Sequence, residues 1–150
     1  MKISEDGAIK LWMNKAEGVK FKLTNDVDVA HDGVIYFSDA SHKYSLKEFV
    51  FNVFEGRPNG RLLSYHPSTK QTTVLVHDLY IANGVAVSSD QNFVVFCETP
   101  MYVITQFFLC LGIRCFDLNK SNPFADTIML TFGEILTLIF VCLGIRLFLS

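Results

Sequence analysis

Basic residues are not in excess. The chain sets 13 Lys and Arg against 15 Asp and Glu, so no cationic surface points to a nucleic-acid partner. Cysteine is sparse. The four, at 97, 110, 115 and 142, are too few for a disulfide scaffold, and their spacing matches no paired CxxC zinc pattern. No GxSxG elbow or HExxH signature occurs, so the usual serine-hydrolase and zinc-peptidase patterns are missing. The N-terminus has no signal-peptide core: Met1-Lys-Ile-Ser-Glu-Asp-Gly is polar within four residues. The expectation is a chain that is cytosolic or lacks its true beginning. Only 19% of residues are charged, but 50% are hydrophobic, which excludes intrinsic disorder. A length of 150 residues allows one medium domain, or a small domain with a tail.

What is present is unevenly distributed. Residues 1–100 hold 22 of the 28 charged residues, and 101–150 hold six. The same fifty residues carry seven of the 14 Phe. This shift places a boundary near residue 100, dividing a polar β-rich domain, 1–100, from a hydrophobic tail, 101–150.

The first hundred residues contain a repeat. Asn25-Asp-Val-Asp-Val-Ala-His-Asp-Gly aligns with Asn83-Gly-Val-Ala-Val-Ser-Ser-Asp-Gln at an offset of 58, with Asn25/Asn83, Val27/Val85, Val29/Val87 and Asp32/Asp90 identical. Alternation at 27 and 29, and at 85 and 87, predicts strands with one face in a core. Asp32-Gly33 is a hairpin turn signal. Between the copies, Gly60–His66 and Thr72–His77 read as two more strands joined by a turn at 67–70. The result is an all-β fold of four-stranded antiparallel meanders recurring as in β-propeller blades, about two of them. A generic β-sandwich is the alternative. The excess length falls in Ser41–Pro58, whose middle, Leu46–Phe54, suits a short amphipathic helix or another strand.

Five stretches, in order, resemble the strictosidine synthase-like family. They are Leu23-Thr-Asn-Asp-Val-Asp-Val-Ala, Asp32-Gly-Val-Ile-Tyr-Phe-Ser-Asp-Ala-Ser, Glu55-Gly-Arg-Pro-Asn-Gly-Arg-Leu-Leu, Tyr80-Ile-Ala-Asn-Gly-Val-Ala-Val-Ser and Phe96-Cys-Glu-Thr. The resemblance implies a six-bladed propeller related to gluconolactonases and paraoxonases, here truncated. It implies hydrolase-like action on a lactone or ester, and an endomembrane or vacuolar setting. Hydrolase relatives hold Ca²⁺ in the central channel, and Asn25 and Asn83 match two of its ligand positions. Amide carbonyls suit Ca²⁺, although each Asn can equally cap a local turn. The catalytic Glu of the synthase itself lies in a later blade. None of Glu5, Glu17, Glu48, Glu55 or Glu98 sits in a matching motif, so condensation chemistry has no residue here and no catalytic residue is assigned. His31, His42, His66 and His77 read as strand-end or turn residues. Arg57 and Arg61 read as anchors of the insertion through ion pairs.

In the tail, the run Thr127–Ile145 has Glu134 as its only charge, and apolar residues resume after Arg146. The segment 127–149 is therefore a candidate helical membrane anchor. Phe recurs at every eighth residue from 108 to 148, a period that fits no helix face. Two functional expectations follow. One is the family's hydrolase-like propeller acting on a small molecule. The other is a non-catalytic fragment, tethered to a membrane or bound to a partner. Strand edges left open by a partial propeller favour self-association.

Overall fold

The computed structural model describes residues 2–3, 9–10, 13–98 and 112–118. Strands dominate. Two short hairpins come first: β1 (Lys2–Ile3) with β2 (Ile9–Lys10), and β3 (Lys15–Ala16) with β4 (Val19–Lys20). Then β5 (Leu23–Val29), β6 (Ile35–Ser41), β7 (Gly60–His66) and β8 (Gln71–Leu79) form an antiparallel meander in sequential order. A second antiparallel sheet holds β9 (Ala82–Val87), β10 (Phe93–Glu98) and β11 (Gly112–Asp117), with β10 central. The fold is the expected all-β partial propeller. Pairing continues past the boundary expected at residue 100, because β11 matches β10 over six residues. The proposed anchor, 127–149, lies outside the described residues. Among those described, no helix is long and apolar enough to cross a membrane.

The repeat is visible atom by atom in its turns. After β5, the Ala30 N–H donates to the Val34 carbonyl at 2.9 Å, and Gly33 takes a positive φ of 85°. The Asp32 carboxylate accepts from the Val34 N–H at 2.9 Å. Fifty-eight residues on, Gln91 takes a φ of 60°, and the Asp90 carboxylate accepts from the Asn92 N–H at 3.2 Å. An Asp able to hold its own backbone two residues on, before a residue tolerating positive φ, is what both turns require.

Two cores flank the first sheet. On one side Leu62, Val76 and Leu79 meet Ala82, Val85, Val94 and Phe96 of the second sheet. On the other, Phe37, Leu63, Tyr65 and Val74 are covered by Ala16 of β3 together with Met13 and Phe21. Phe21 packs edge-on against Phe37, with ring centres 5.5 Å apart. This second face is covered only in part. Val27 and Val29, expected to point into a core, are 44% and 56% exposed. They share their face with Phe37 and Ile35, the residues paired with them on β6 and packed in this second core, but β5 is the edge strand of the sheet and its two valines stay largely exposed. Alternation set the face correctly; whether anything packs on it depends on a neighbour.

The insertion between β6 and β7 is helical, a 3-10 turn (Leu46–Glu48) running into α1 (Phe49–Glu55) and ending at Gly56 with a φ of 64°. Its inward side mixes apolar and polar residues, with Phe49 and Val53 half-buried on the same side as Asn52. Asn52 is the buried residue, and it accepts from the Asn59 amide at 3.1 Å beside Ser41. Leu46, Val50, Phe51 and Phe54 face outward.

Candidate functional site

One end of the two sheets gathers the candidate residues. There β5 starts and β6 ends, β7 starts and β8 ends, and β9 starts and β10 ends. Gly60 lies at the meeting point. A side chain there would come within 2.8 Å of the Leu79 carbonyl, 3.0 Å of the Ala82 nitrogen and 3.2 Å of the Ala40 carbonyl, so only glycine lets the strands approach.

Asn25 and Asn83 sit at equivalent irregularities on this end. On β5, Thr24 pairs with Asp39 and Val27 with Phe37, leaving Asn25 and Asp26 opposite the single residue Ser38. On β9, Ala82 pairs with Glu98 and Val85 with Phe96, leaving Asn83 and Gly84 opposite Cys97. Each is a β-bulge, a device that re-aims a side chain and is common beside functional sites. The backbone N–H that the first bulge releases, that of Asp26, donates to the Ser38 hydroxyl at 3.1 Å. Asn25 is exposed and Asn83 half-buried.

The two strands are tied side by side. The Asp26 carboxylate accepts from the Val85 N–H at 2.9 Å, and that of Asp28 from the Val87 N–H at 2.8 Å. Both links have the same offset, so β5 and β9 run parallel and Asn25 lies level with the Asn83-Gly84 bulge. Two oxygen-bearing amides from different sheets thus share one level at one end. Ca²⁺ needs six to eight oxygens. The described residues give two neutral amides, while Asp26 and Asp28 already each accept a backbone N–H. No group of three or more His, Cys, Asp and Glu that could hold a metal occurs among the described residues. The described residues therefore fit only part of a calcium site.

The other ionisable groups serve the framework. Asp39 and Arg61 are directly opposite on β6 and β7 and form a buried ion pair of 2.5 Å, with the Arg61 guanidinium 5.5 Å from the Phe21 ring centre. Glu98 is buried and accepts from the Tyr80 N–H at 2.7 Å, holding the turn between β8 and β9. Lys43 and Glu55 pair at 2.5 Å and fasten the insertion. That hydrogen bond holds the Glu55 carboxyl below the usual range and raises the Lys43 ammonium. Glu48 is held low by hydrogen bonds from Ser45, with a smaller contribution from Lys22. Of the two arginines expected to anchor the insertion, Arg61 makes its ion pair within the sheet, while Arg57 is exposed.

The four histidines are not brought together. His31 lies in the turn after β5, His42 follows β6, and His66 ends β7. His77 is inside β8, 3.5 Å from Glu17. Sequence reading missed the roles of Asp26 and Asp28. Their signal was a difference between the copies, which carry Gly84 and Ala86 at the matching places. The Asn52–Asn59 link was also missed, since two amides seven residues apart announce nothing until a helix folds between them.

Comparisons with known proteins agree with this architecture. The family model described as strictosidine synthase matches residues 25–110. Strictosidine synthase-like 6 of Arabidopsis thaliana is 49% identical over 110 residues, covering 73% of this chain and 30% of the relative. The adipocyte plasma membrane-associated protein of Gallus gallus is 42% identical over 94 residues, covering 62% of this chain and 23% of the relative. The chain thus spans about a third or less of the curated relatives it matches. A gluconolactonase from Xanthomonas campestris has a similar fold, with a TM-score of 0.59 at 17% identity, over 81% of this chain and 38% of that one.

Proposed function

The chain belongs to the strictosidine synthase family, and from that premise we propose that it is part of a hydrolase-like propeller of the endomembrane system. Its substrate class is a small lactone or ester, and Asn25 and Asn83 mark the end of the channel where that substrate and a calcium ion would meet. The observation that carries this reading is the paired bulge. Two Asn, 58 residues apart, are re-aimed by the same backbone device at the same level of neighbouring strands. A disulfide at the buried Cys97 supports an oxidising compartment.

With two amide ligands, calcium binding is weak. The test is thermal unfolding of the full chain in rising calcium, with hydrolysis of a simple lactone followed in parallel. A melting-point gain appearing only at millimolar calcium and absent in Asn83→Ala is expected, since binding to the native state alone raises apparent stability. Turnover, where present, falls in Asn25→Ala and Asn83→Ala. Lactone turnover that ignores both calcium and these substitutions would refute the site.

A second reading is a non-catalytic chain tethered to a membrane through 127–149 or bound to a partner. The engaged state of the described glutamates favours it: Glu98 holds the Tyr80 N–H, Glu55 holds Lys43, and Glu48 closes a capping box with Ser45. Under this reading the full chain resists carbonate extraction from membranes, and deletion of 127–150 releases it. Extraction of the full chain by carbonate would remove the anchor.

A further inference from the structure

Ile81 is held in a backbone conformation that its side chain resists. Its φ is 45°, in the left-handed region, where a β-branched residue is a rarity. Such a residue persists only where its surroundings fix it, and positions of this kind gather at functional sites. Ile81 is buried and stands two residues before Asn83.

One residue fixes it from both sides. Glu98 pairs with Ala82 across β9 and β10, so its backbone holds the residue after Ile81. Its buried carboxylate accepts from the Tyr80 N–H at 2.7 Å, so its side chain holds the residue before. Gly60 of β7 lies against Leu79 and Ala82, on the two flanks of the same link. With Ala82 fixed, the Asn83-Gly84 bulge starts at the next residue.

The first sheet has the same grip in a shorter form. Asp39 pairs with Thr24, the residue before Asn25, and its carboxylate accepts from the Leu23 N–H at 3.4 Å. Leu23 and Thr24 are adjacent, whereas Tyr80 and Ala82 have Ile81 between them. Glu98, one methylene longer than Asp39, spans that extra residue. In both sheets a buried carboxylate stands opposite the residue that leads into an Asn bulge and reaches back along the incoming chain.

We propose that Glu98 is the positioning residue of Asn83. By gripping Tyr80 and Ala82 it holds Ile81 left-handed and so fixes the level and direction at which Asn83 leaves β9. Length and an acceptor oxygen do this; the carboxyl group as such does not. The consequence for metal binding rests on the reading of Asn83 as a calcium ligand: affinity then depends on the reach of residue 98, as it does for groups that orient a ligand from behind.

Two conservative variants of the full chain separate reach from carboxyl chemistry. Glu98→Gln keeps the length and an acceptor oxygen, and Glu98→Asp keeps the carboxyl and loses the length. In nitrogen-15-labelled protein, Glu98→Gln should leave Tyr80 amide exchange and the Asn83 side-chain amide signal as in wild type. Glu98→Asp should speed Tyr80 exchange about tenfold, since that N–H loses its acceptor, and should displace the Asn83 signal. Val94, at the far end of the central strand β10, should exchange as in wild type in both. An Asn83 signal unmoved in Glu98→Asp, or moved equally in Glu98→Gln, would overturn the proposal. Val94 exchange rising as much as that of Tyr80 would overturn it too and make Glu98 a support of the whole sheet. The calcium-dependent melting gain is read in parallel: Glu98→Gln should keep it, and Glu98→Asp should need about tenfold more calcium. A wild-type chain with no such gain defeats the calcium reading alone, and the amide signals still decide whether Glu98 positions Asn83.

Discussion

Asn25–Val29 and Asn83–Val87 share a sequence pattern, a bulge and a following turn, yet they differ in burial. Val85 is 3% exposed, whereas Val27, at the same place in the repeat, is 44% exposed. The second run lies against the first sheet; the first run has part of its outer face open. Alternation fixes which face of a strand is apolar, and the neighbouring sheet fixes whether that face is buried. The copies also divide the work of joining: the first supplies Asp26 and Asp28, and the second supplies the N–H groups they hold.

The largest test of this asymmetry is the buried ion pair of Asp39 and Arg61 on the first sheet. Asp39→Ala leaves Arg61 charged, buried and unmatched, and should cost about 3–5 kcal/mol. The second copy has Cys97 at the matching place, with no such charge to strand. The measurement is the midpoint of denaturant unfolding, and a loss under about 1 kcal/mol would mean that water reaches Arg61.

Matched valines give the next contrast. Val85→Ala should cost about 2 kcal/mol, from lost burial and the cavity left behind. Val27→Ala should cost less than about 0.5 kcal/mol, as exposed substitutions do. Equal losses would show that the Val27 face is covered in solution, by self-association or by another part of the protein. Sedimentation equilibrium separates those two.

The strand links come third. Asp26→Ala and Asp28→Ala each leave a backbone N–H of β9 without its acceptor, and each should lower stability by about 1 kcal/mol. Amide exchange should rise at Val85 and Val87 specifically. Unchanged exchange there would mean that packing alone aligns the sheets.

The smallest effect is that of acid. Hydrogen bonds hold the carboxyls of Glu48, Glu55 and Asp90 below their usual values. A depressed folded pKa contributes stability above the unfolded pKa, about 4.3 for Glu and 3.9 for Asp, and that stability is lost as pH falls through the lower folded value. Acidification below about pH 4 should therefore loosen the insertion and the Ser88–Phe93 turn slightly, read as faster amide exchange over 46–55 and 88–93. Loosening that begins near neutral pH would show that these three carboxyls do not govern the two segments.

Much of the architecture was legible without coordinates, because it rests on local rules. Asp-Gly after an alternating run specifies a turn at positive φ, and the same Asp at an offset of 58 disclosed the second copy. The first bulge was hidden. Thr24 through Val27 reads as unbroken strand, and only pairing with β6 leaves two residues opposite Ser38. The two Asn were legible in the repeat, but their shared level was not, since it depends on Asp26 and Asp28 of β5 reaching across to the backbone of β9. The insertion was legible as amphipathic and misleading as to direction. In the structure Asn52 is buried against Asn59 and Ser41 with Phe49 and Val53 half-buried on the same side, while Leu46, Val50, Phe51 and Phe54 are exposed.

By itself the sequence determined the main strands, the turns and the repeat, since each follows from the period of side chains along the backbone or from residues that alone tolerate a given φ, while the family was legible only as a resemblance of five stretches. The tertiary structure decided which apolar faces are covered, which Asn stand level, and which side of the insertion meets solvent. Those outcomes depend on contacts between residues about sixty positions apart, and burial is a property of the pair of surfaces that meet, not of either stretch alone.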